Sequence, residues 1–173
     1  MTNVFTSAFS DFFCNFGGGG STLGLVLMMT FIAKSKRLKT LGRMALPAGI
    51  FGINEPIIFG FPMVLNVIMV IPFILAPVMN TIIGQLATAV GFIPVTSGVQ
   101  LSWTTPIFIS GYLTTGSINA VILQLLMLLA DMALYYPFLK MQDSKYLEEE
   151  EKLAKEEKKD ELDELYFDDL KLD

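Results

Sequence analysis

The sequence predicts an all-α integral membrane protein, made of transmembrane helices plus a re-entrant hairpin and ending in an acidic cytoplasmic tail. Three observations predict it. Between Met44 and Leu139 the only fully charged side chains are Glu55 and Asp131, too few to cover a water-facing surface of that length. Hydrophobic residues make up 53% of the chain and charged residues 17%. The charge is also segregated. Residues 1–139 carry a net +2, whereas residues 140–173 hold seven lysines against fourteen acids, a net −7. Two units are therefore expected: a membrane-embedded part over 1–139 and a solvated acidic tail over 140–173.

The same composition excludes several functions. The basic cluster is short and the tail repels phosphates, so no nucleic acid is expected as a partner. Cys14 is the single cysteine and histidine is absent. That excludes an internal disulfide, a thiolate metal site and a nucleophile–base pair. The reading calls for no cofactor and no metal. No basic region precedes an apolar core at the N-terminus, so it is not read as a secretory signal. A phenylalanine-rich start without a charged lead-in is instead expected of the interior of a longer membrane protein.

Along the chain, residues 17–33 are the first candidate span, marginal in length against the roughly 20 helical residues that cross a bilayer. Phe12, Phe13 and Phe16 extend it upstream, and its four consecutive glycines suit a helix start or a close approach of backbones. Lys34–Arg43 reads as a short basic loop, placed in the cytoplasm by the positive-inside rule. The end of the last span, marked by Lys140 and Lys145, falls on the same side, so the crossings between the two must be even in number. Residues 44–61 combine Pro47, Gly49, Gly52, Pro56 and Gly60 with a central Asn54-Glu55. Breakers around an acid predict the re-entrant hairpin, tolerated only where protein or a wet cavity covers the backbone. Residues 62–93 read as one kinked helix starting near Pro62 and containing Pro72 and Pro77. A hydroxyl-rich loop at 94–105 and a short re-entrant or interfacial piece at 106–116 follow. Residues 117–139 are the clearest span, ending in the interfacial aromatics Tyr135 and Tyr136. In the tail, Glu148–Lys152 and Glu151–Lys155 are favourable (i, i+4) pairs and predict a helix without a core of its own.

Chemistry concentrates at Glu55. A carboxylate in an apolar stretch is costly and usually faces a substrate or ion pathway. Beside it, Asn54 offers two donors and an acceptor, a pairing suited to the vicinal hydroxyls of a sugar. A proton-coupling acid and a protonated Glu55 tied to backbone amides are the alternatives. Trp103, the single tryptophan, lies among Ser102, Thr104 and Thr105. Its ring can stack on a pyranose face while Thr104 and its neighbours serve the polar edge; an interfacial anchor is the other reading. Asp131, midway through the last span, is expected to pair with a polar group inside the bundle. The glycine run offers amides to an anion or a close helix contact, without matching a nucleotide-binding fingerprint.

The segment Gly52–Pro62, GINEPIIFGFP, resembles the asparagine–glutamate–proline motif of the phosphotransferase-system enzyme IIC proteins of the lactose, cellobiose and diacetylchitobiose group. The glycine run with Ser21-Thr22-Leu23-Gly24-Leu25, the basic stretch 34–43, Ile71–Pro77, the Ser97–Pro106 stretch with Trp103-Thr104-Thr105-Pro106 and Tyr135–Phe138 resemble the same group in the same order. The resemblance covers about residues 5–145. It implies a sugar permease (EIIC) that binds and translocates a disaccharide in the bacterial cytoplasmic membrane, with EIIB and EIIA as partners. The EIIB domain, its phosphoryl group held on a cysteine, phosphorylates the sugar 6-hydroxyl. The family's hairpin glutamate maps onto Glu55 and its substrate-site tryptophan onto Trp103. Full-length relatives form homodimers through an N-terminal helical domain and carry a substrate-site histidine on an earlier hairpin. Both are expected to precede Met1, which makes this chain the C-terminal, substrate-binding part. A non-transporting membrane remnant or scaffold, and an ion-coupled transporter fragment using Glu55 and Asp131, are the competing functions. An upstream reading frame for the missing helices favours the permease, and pH-independent sugar binding opposes the ion-coupled reading.

Overall fold

A computed structural model of the chain describes residues 9–61, 63, 65–96, 99 and 101–169, with side chains described through residue 159. The described residues form seven helical segments and no strand. A π-helical turn, α1 (Ser10–Cys14), is followed by α2 (Leu23–Phe31), α3 (Lys36–Ile50), α4 (Glu55–Gly60), α5 (Val67–Ala89), α6 (Ile109–Thr115) and α7 (Ile118–Asp169).

Two of these helices, α5 and α7, are long and apolar enough to cross a membrane. At 1.5 Å per residue the 23 residues of α5 extend about 35 Å, longer than a hydrocarbon core of ~30 Å. Their faces are inverted relative to a water-soluble bundle. Asn80 of α5 and Gln124 and Asp131 of α7 are fully buried, while Ile74, Leu75 and Val78 of α5 and Leu126 and Leu129 of α7 are about half exposed. Polar groups inside and aliphatic groups outside are what a lipid solvent selects. Pro72 and Pro77 lie within α5, as the kinked-helix reading expects. Pro62, its expected start, lies outside the described residues; α5 begins at Val67, where Asn66 Oδ1 caps it by accepting from the Ile68 N–H at 3.1 Å.

The expected span at 17–33 is corrected. Only Leu23–Phe31 is helical, nine residues and about 14 Å, too short to cross. The cause is local: Gly17, Gly18, Gly20 and Ser21 all have positive φ, so residues 17–22 coil into a turn. Helix α2 is nevertheless almost wholly buried, packed against α3 and α7 with Leu25, Val26, Met28 and Met29 in the core.

The basic loop at 34–43 is also corrected: it is the first half of α3. Lys, Arg, Leu and Ala are good helix formers, and Ser35 supplies an N-cap whose Oγ accepts from the Leu38 N–H. The remaining free amides of this end are met from α7. Asp143 accepts from the N–H groups of Lys34 and Ser35, both at 2.8 Å, and Glu150 from those of Lys36 and Arg37 at 3.2 and 3.0 Å. Two carboxylates at a helix start also complement its dipole. Arg37 lies over the Tyr146 ring, 4.6 Å from its centroid.

Residues 44–61 are more regular than expected. Helix α3 continues through Pro47 to Ile50, the irregular backbone is confined to 51–54, and α4 returns against α3. Helix α6 falls inside the expected short piece at 106–116 and ends at Gly116, in the left-handed region. Helix α7 runs unbroken from the apolar span into the charged tail, with no interruption at residue 139. Beyond Pro137 the segment holds no glycine or proline and is rich in Glu, Lys, Leu and Ala, so nothing stops the helix.

The α3 cap yields a stability prediction. Asp143→Ala should destabilise the protein by about 1.5–3 kcal/mol, because one buried and one half-buried amide lose a charged acceptor. Glu150→Ala, at a more exposed site, should cost less than about 1 kcal/mol. Thermal unfolding in detergent measures both, and equal effects would contradict the assignment.

Candidate functional site

Three breaks in the helical chain meet on one side of the molecule. The first is the glycine turn, closed by Ser21 N–H to Gly18 O at 3.1 Å, Leu23 N–H to Phe16 O at 3.0 Å and Thr22 Oγ1 to Gly17 O at 2.9 Å. The second is the 51–54 turn between α3 and α4, in which Gly52 has φ +78°. The third is the loop that carries Trp103 between α5 and α6.

Asn54 joins the first two. It stands at the N-cap of α4, where asparagine ordinarily caps, yet its side chain makes no cap bond. Instead Nδ2 donates to Gly19 O at 2.7 Å. The approach requires glycine: a Cβ on Gly18 would lie 2.6 Å from Asn54 Cγ. Glu55 follows as the first residue of α4. It is exposed, and its carboxylate has no hydrogen-bond or ion-pair partner among the described residues.

A cavity of about 360 Å³ opens between these breaks. Gly18, Gly19, Gly52, Asn54 and Glu55 form one wall, and Trp103, 59% exposed, stands at another. The expected residues Asn54, Glu55 and Trp103 are thus brought together. Thr104 is not among the lining residues; its Oγ1 lies 2.8 Å from Ser102 Oγ, beside Trp103.

Asp11 and Asn15 also line the cavity, and the sequence reading had not placed them in a site. They are four residues apart, at and just beyond α1, where Asn15 Nδ2 donates to Ser10 O at 3.3 Å. That spacing of two polar residues in an otherwise phenylalanine-rich run was the available signal. Asp131 lies apart from the cavity, fully buried, its carboxylate accepting from Ser21 Oγ and from Asn80 Nδ2 at 2.9 and 3.1 Å. It pairs with polar groups inside the bundle, as its position in the span predicts.

The lining offers carboxylate and amide acceptors, amide donors and one aromatic face. It is equipped to hold a polyhydroxylated ring, with donors and acceptors matched to hydroxyls. It offers no nucleophile paired to a base.

Residues 1–77 match the family model "Phosphotransferase system, EIIC". The chain is 47% identical over 152 residues to the PTS system cellobiose-specific EIIC component of Geobacillus stearothermophilus, covering 87% of this chain and 34% of that protein. It is 42% identical over 149 residues to the PTS system lactose-specific EIICB component of Staphylococcus aureus (strain N315), covering 86% and 26%. The crystal structure of the transporter ChbC, the IIC component from the N,N'-diacetylchitobiose-specific phosphotransferase system, superposes with a TM-score of 0.84 at 44% identity, covering 86% of this chain and 35% of that one. The chain spans about a third or less of the length of these proteins. Over that span the chain carries the phosphotransferase system EIIC family domain.

Proposed function

We propose that this chain is the C-terminal, substrate-binding part of an EIIC sugar permease, and that the cavity between its three chain breaks holds a disaccharide of the cellobiose, lactose or diacetylchitobiose type. The observation that carries the proposal is the unpartnered Glu55 carboxylate, which lines a cavity of about 360 Å³ together with Asn54 and Trp103. That volume falls within the range of small-molecule sites. Glu55 accepts from sugar hydroxyls. The Asn54 Oδ1, left without a hydrogen-bond partner among the described residues while Nδ2 is held by Gly19, accepts another. Trp103 stacks on a pyranose face, with the Thr104 hydroxyl at its polar edge. Asp11 and Asn15 complete the lining. The names of the cellobiose-specific and lactose-specific relatives support this substrate class.

In this reading the chain lies in the bacterial cytoplasmic membrane. Residues 1–139 are its membrane part and 140–173 an acidic tail that shares the cytoplasmic side with the basic segment 34–43. The 44–61 segment is a re-entrant hairpin: α4 is six residues long, too short to cross, and its turn faces the cavity. The chain works with EIIB, which transfers its phosphoryl group to the 6-hydroxyl of the bound sugar, and with EIIA, which supplies EIIB. The EIICB name of the lactose-specific relative supports the EIIB partnership. The remaining part of the permease completes the site and forms the homodimer.

Uptake of labelled cellobiose, lactose and diacetylchitobiose tests the proposal, in cells that lack their own permeases. The chain is expressed alone and together with the upstream helical part of the cellobiose-specific relative. Uptake that requires the added part is expected; no uptake in either case, despite membrane insertion, would reject the permease reading. Glu55→Gln should preserve insertion and weaken sugar binding by about 1.5–3 kcal/mol, the range for a hydrogen bond to a charged group. Unchanged affinity would remove Glu55 from the site. Gly18→Ala should also impair binding, since its methyl group displaces Asn54.

A further inference from the structure

Three successive residues of the glycine turn are each held by a different side chain. Gly19 O accepts from Asn54 Nδ2 at 2.7 Å. Gly20 O accepts from the Tyr135 hydroxyl at 2.6 Å. The Ser21 hydroxyl donates to Asp131 and accepts from Asn80 Nδ2 at 3.1 Å and from the Phe16 N–H at 3.3 Å. Ser21 has φ +53°, a conformation that a residue with a side chain holds only where its surroundings impose it. Gly20 has φ +84°, and a Cβ on it would lie 2.2 Å from the Phe73 ring.

Ser21, Asn80, Asp131 and Tyr135 are all fully buried, and none lines the cavity. Their effect on a ligand must pass through the turn. Two successive peptide units are pinned, Gly19–Gly20 at its carbonyl by the cavity amide of Asn54 and Gly20–Ser21 at its carbonyl by Tyr135 of α7. Releasing the second frees rotation at Gly20, which re-tilts the Gly19 carbonyl and with it the Asn54 side chain.

We propose that Tyr135 and Asp131 of α7 are positioning residues for the sugar site: they set the glycine turn in the conformation that orients Asn54 and fixes its position beside Glu55. The inference rests on the reading of the cavity as a sugar site. It deepens that reading by assigning a role to two residues that do not touch the ligand.

A double-mutant cycle on Tyr135 and Asn54 tests it, with cellobiose as the probe. The full chain is used, in membranes, co-expressed with the upstream part of the cellobiose-specific relative. Affinity is measured for the unaltered chain, Asn54→Ala, Tyr135→Phe and the double variant. Tyr135→Phe should weaken binding about 3- to 10-fold, the scale of one hydrogen bond. The same change should have no further effect once Asn54 is alanine, because the two residues act in series. Asp131→Asn should repeat the pattern, and if it fails to accumulate, Tyr135→Phe decides alone. A purely structural role lowers the unfolding temperature without changing affinity, or adds to the Asn54→Ala effect; either result overturns the proposal. If Asn54→Ala itself leaves affinity unchanged, the site reading fails first and the inference falls with it. If Asn54→Ala weakens binding but Tyr135→Phe does not, the inference fails and the site stands.

Discussion

Every break in a membrane-embedded chain leaves backbone groups that hydrocarbon cannot satisfy, and in this protein α7 supplies many of the missing partners. Gln124 accepts from the Phe108 N–H and donates to Phe12 O, both at 2.8 Å, closing the start of α6 and the π-helical α1. Asp131 and Tyr135 hold the glycine turn. Asp143 and Glu150 take the free amides at the start of α3. At 100° per residue these five positions span about 120° of the helix circumference, so one face of one helix serves four separate breaks. The long, uninterrupted α7 is therefore more than a membrane crossing. It is the continuous element that permits the others to be irregular.

The irregular segments have a common use. Turns at 17–22 and 51–54 and the Trp103 loop expose carbonyls, amides and short side chains where helices would present only aliphatic surface. Their positive-φ glycines allow the backbones to approach until Gly19 O meets Asn54 Nδ2 at 2.7 Å. A cavity walled by such segments is polar although the helices beside it are apolar. Binding chemistry and backbone irregularity thus occur together because one physical condition, protein cover for unpaired polar groups, allows both.

The legible part of this arrangement was the part written in composition. The scarcity of charge from Met44 to Leu139 marks the apolar helices α5 and α7, and Asn54-Glu55-Pro56 with Trp103 marks the cavity. Hydropathy misjudged residues 17–33 because it scores glycine and leucine for solvent preference and is blind to φ, and it is φ that turns 17–22 away from a helix. It also separated Lys34–Arg43 from the helix they begin, since the carboxylates that cap this end, Asp143 and Glu150, lie more than a hundred residues away. Asp11 and Asn15 carried a faint signal in their spacing, but only the π-helical turn brings them to the cavity. What sequence reasoning lost were long-range hydrogen bonds and backbone handedness, neither of which has a local compositional trace.

The two acids of the apolar region show how burial divides labour between identical functional groups. Asp131 is fully buried, and both its oxygens accept hydrogen bonds from Ser21 and Asn80. A carboxylate so engaged has little capacity left for a ligand and much leverage over the backbone it holds. Glu55 is exposed to the cavity and has no partner among the described residues. An exposed carboxylate without a protein partner keeps its full capacity to accept hydrogen bonds. The satisfied acid holds the glycine turn through Ser21, and the exposed one lines the cavity. The glycine turn, bonded to Asp131 through Ser21 and to Glu55's neighbour Asn54 through Gly19, joins the two.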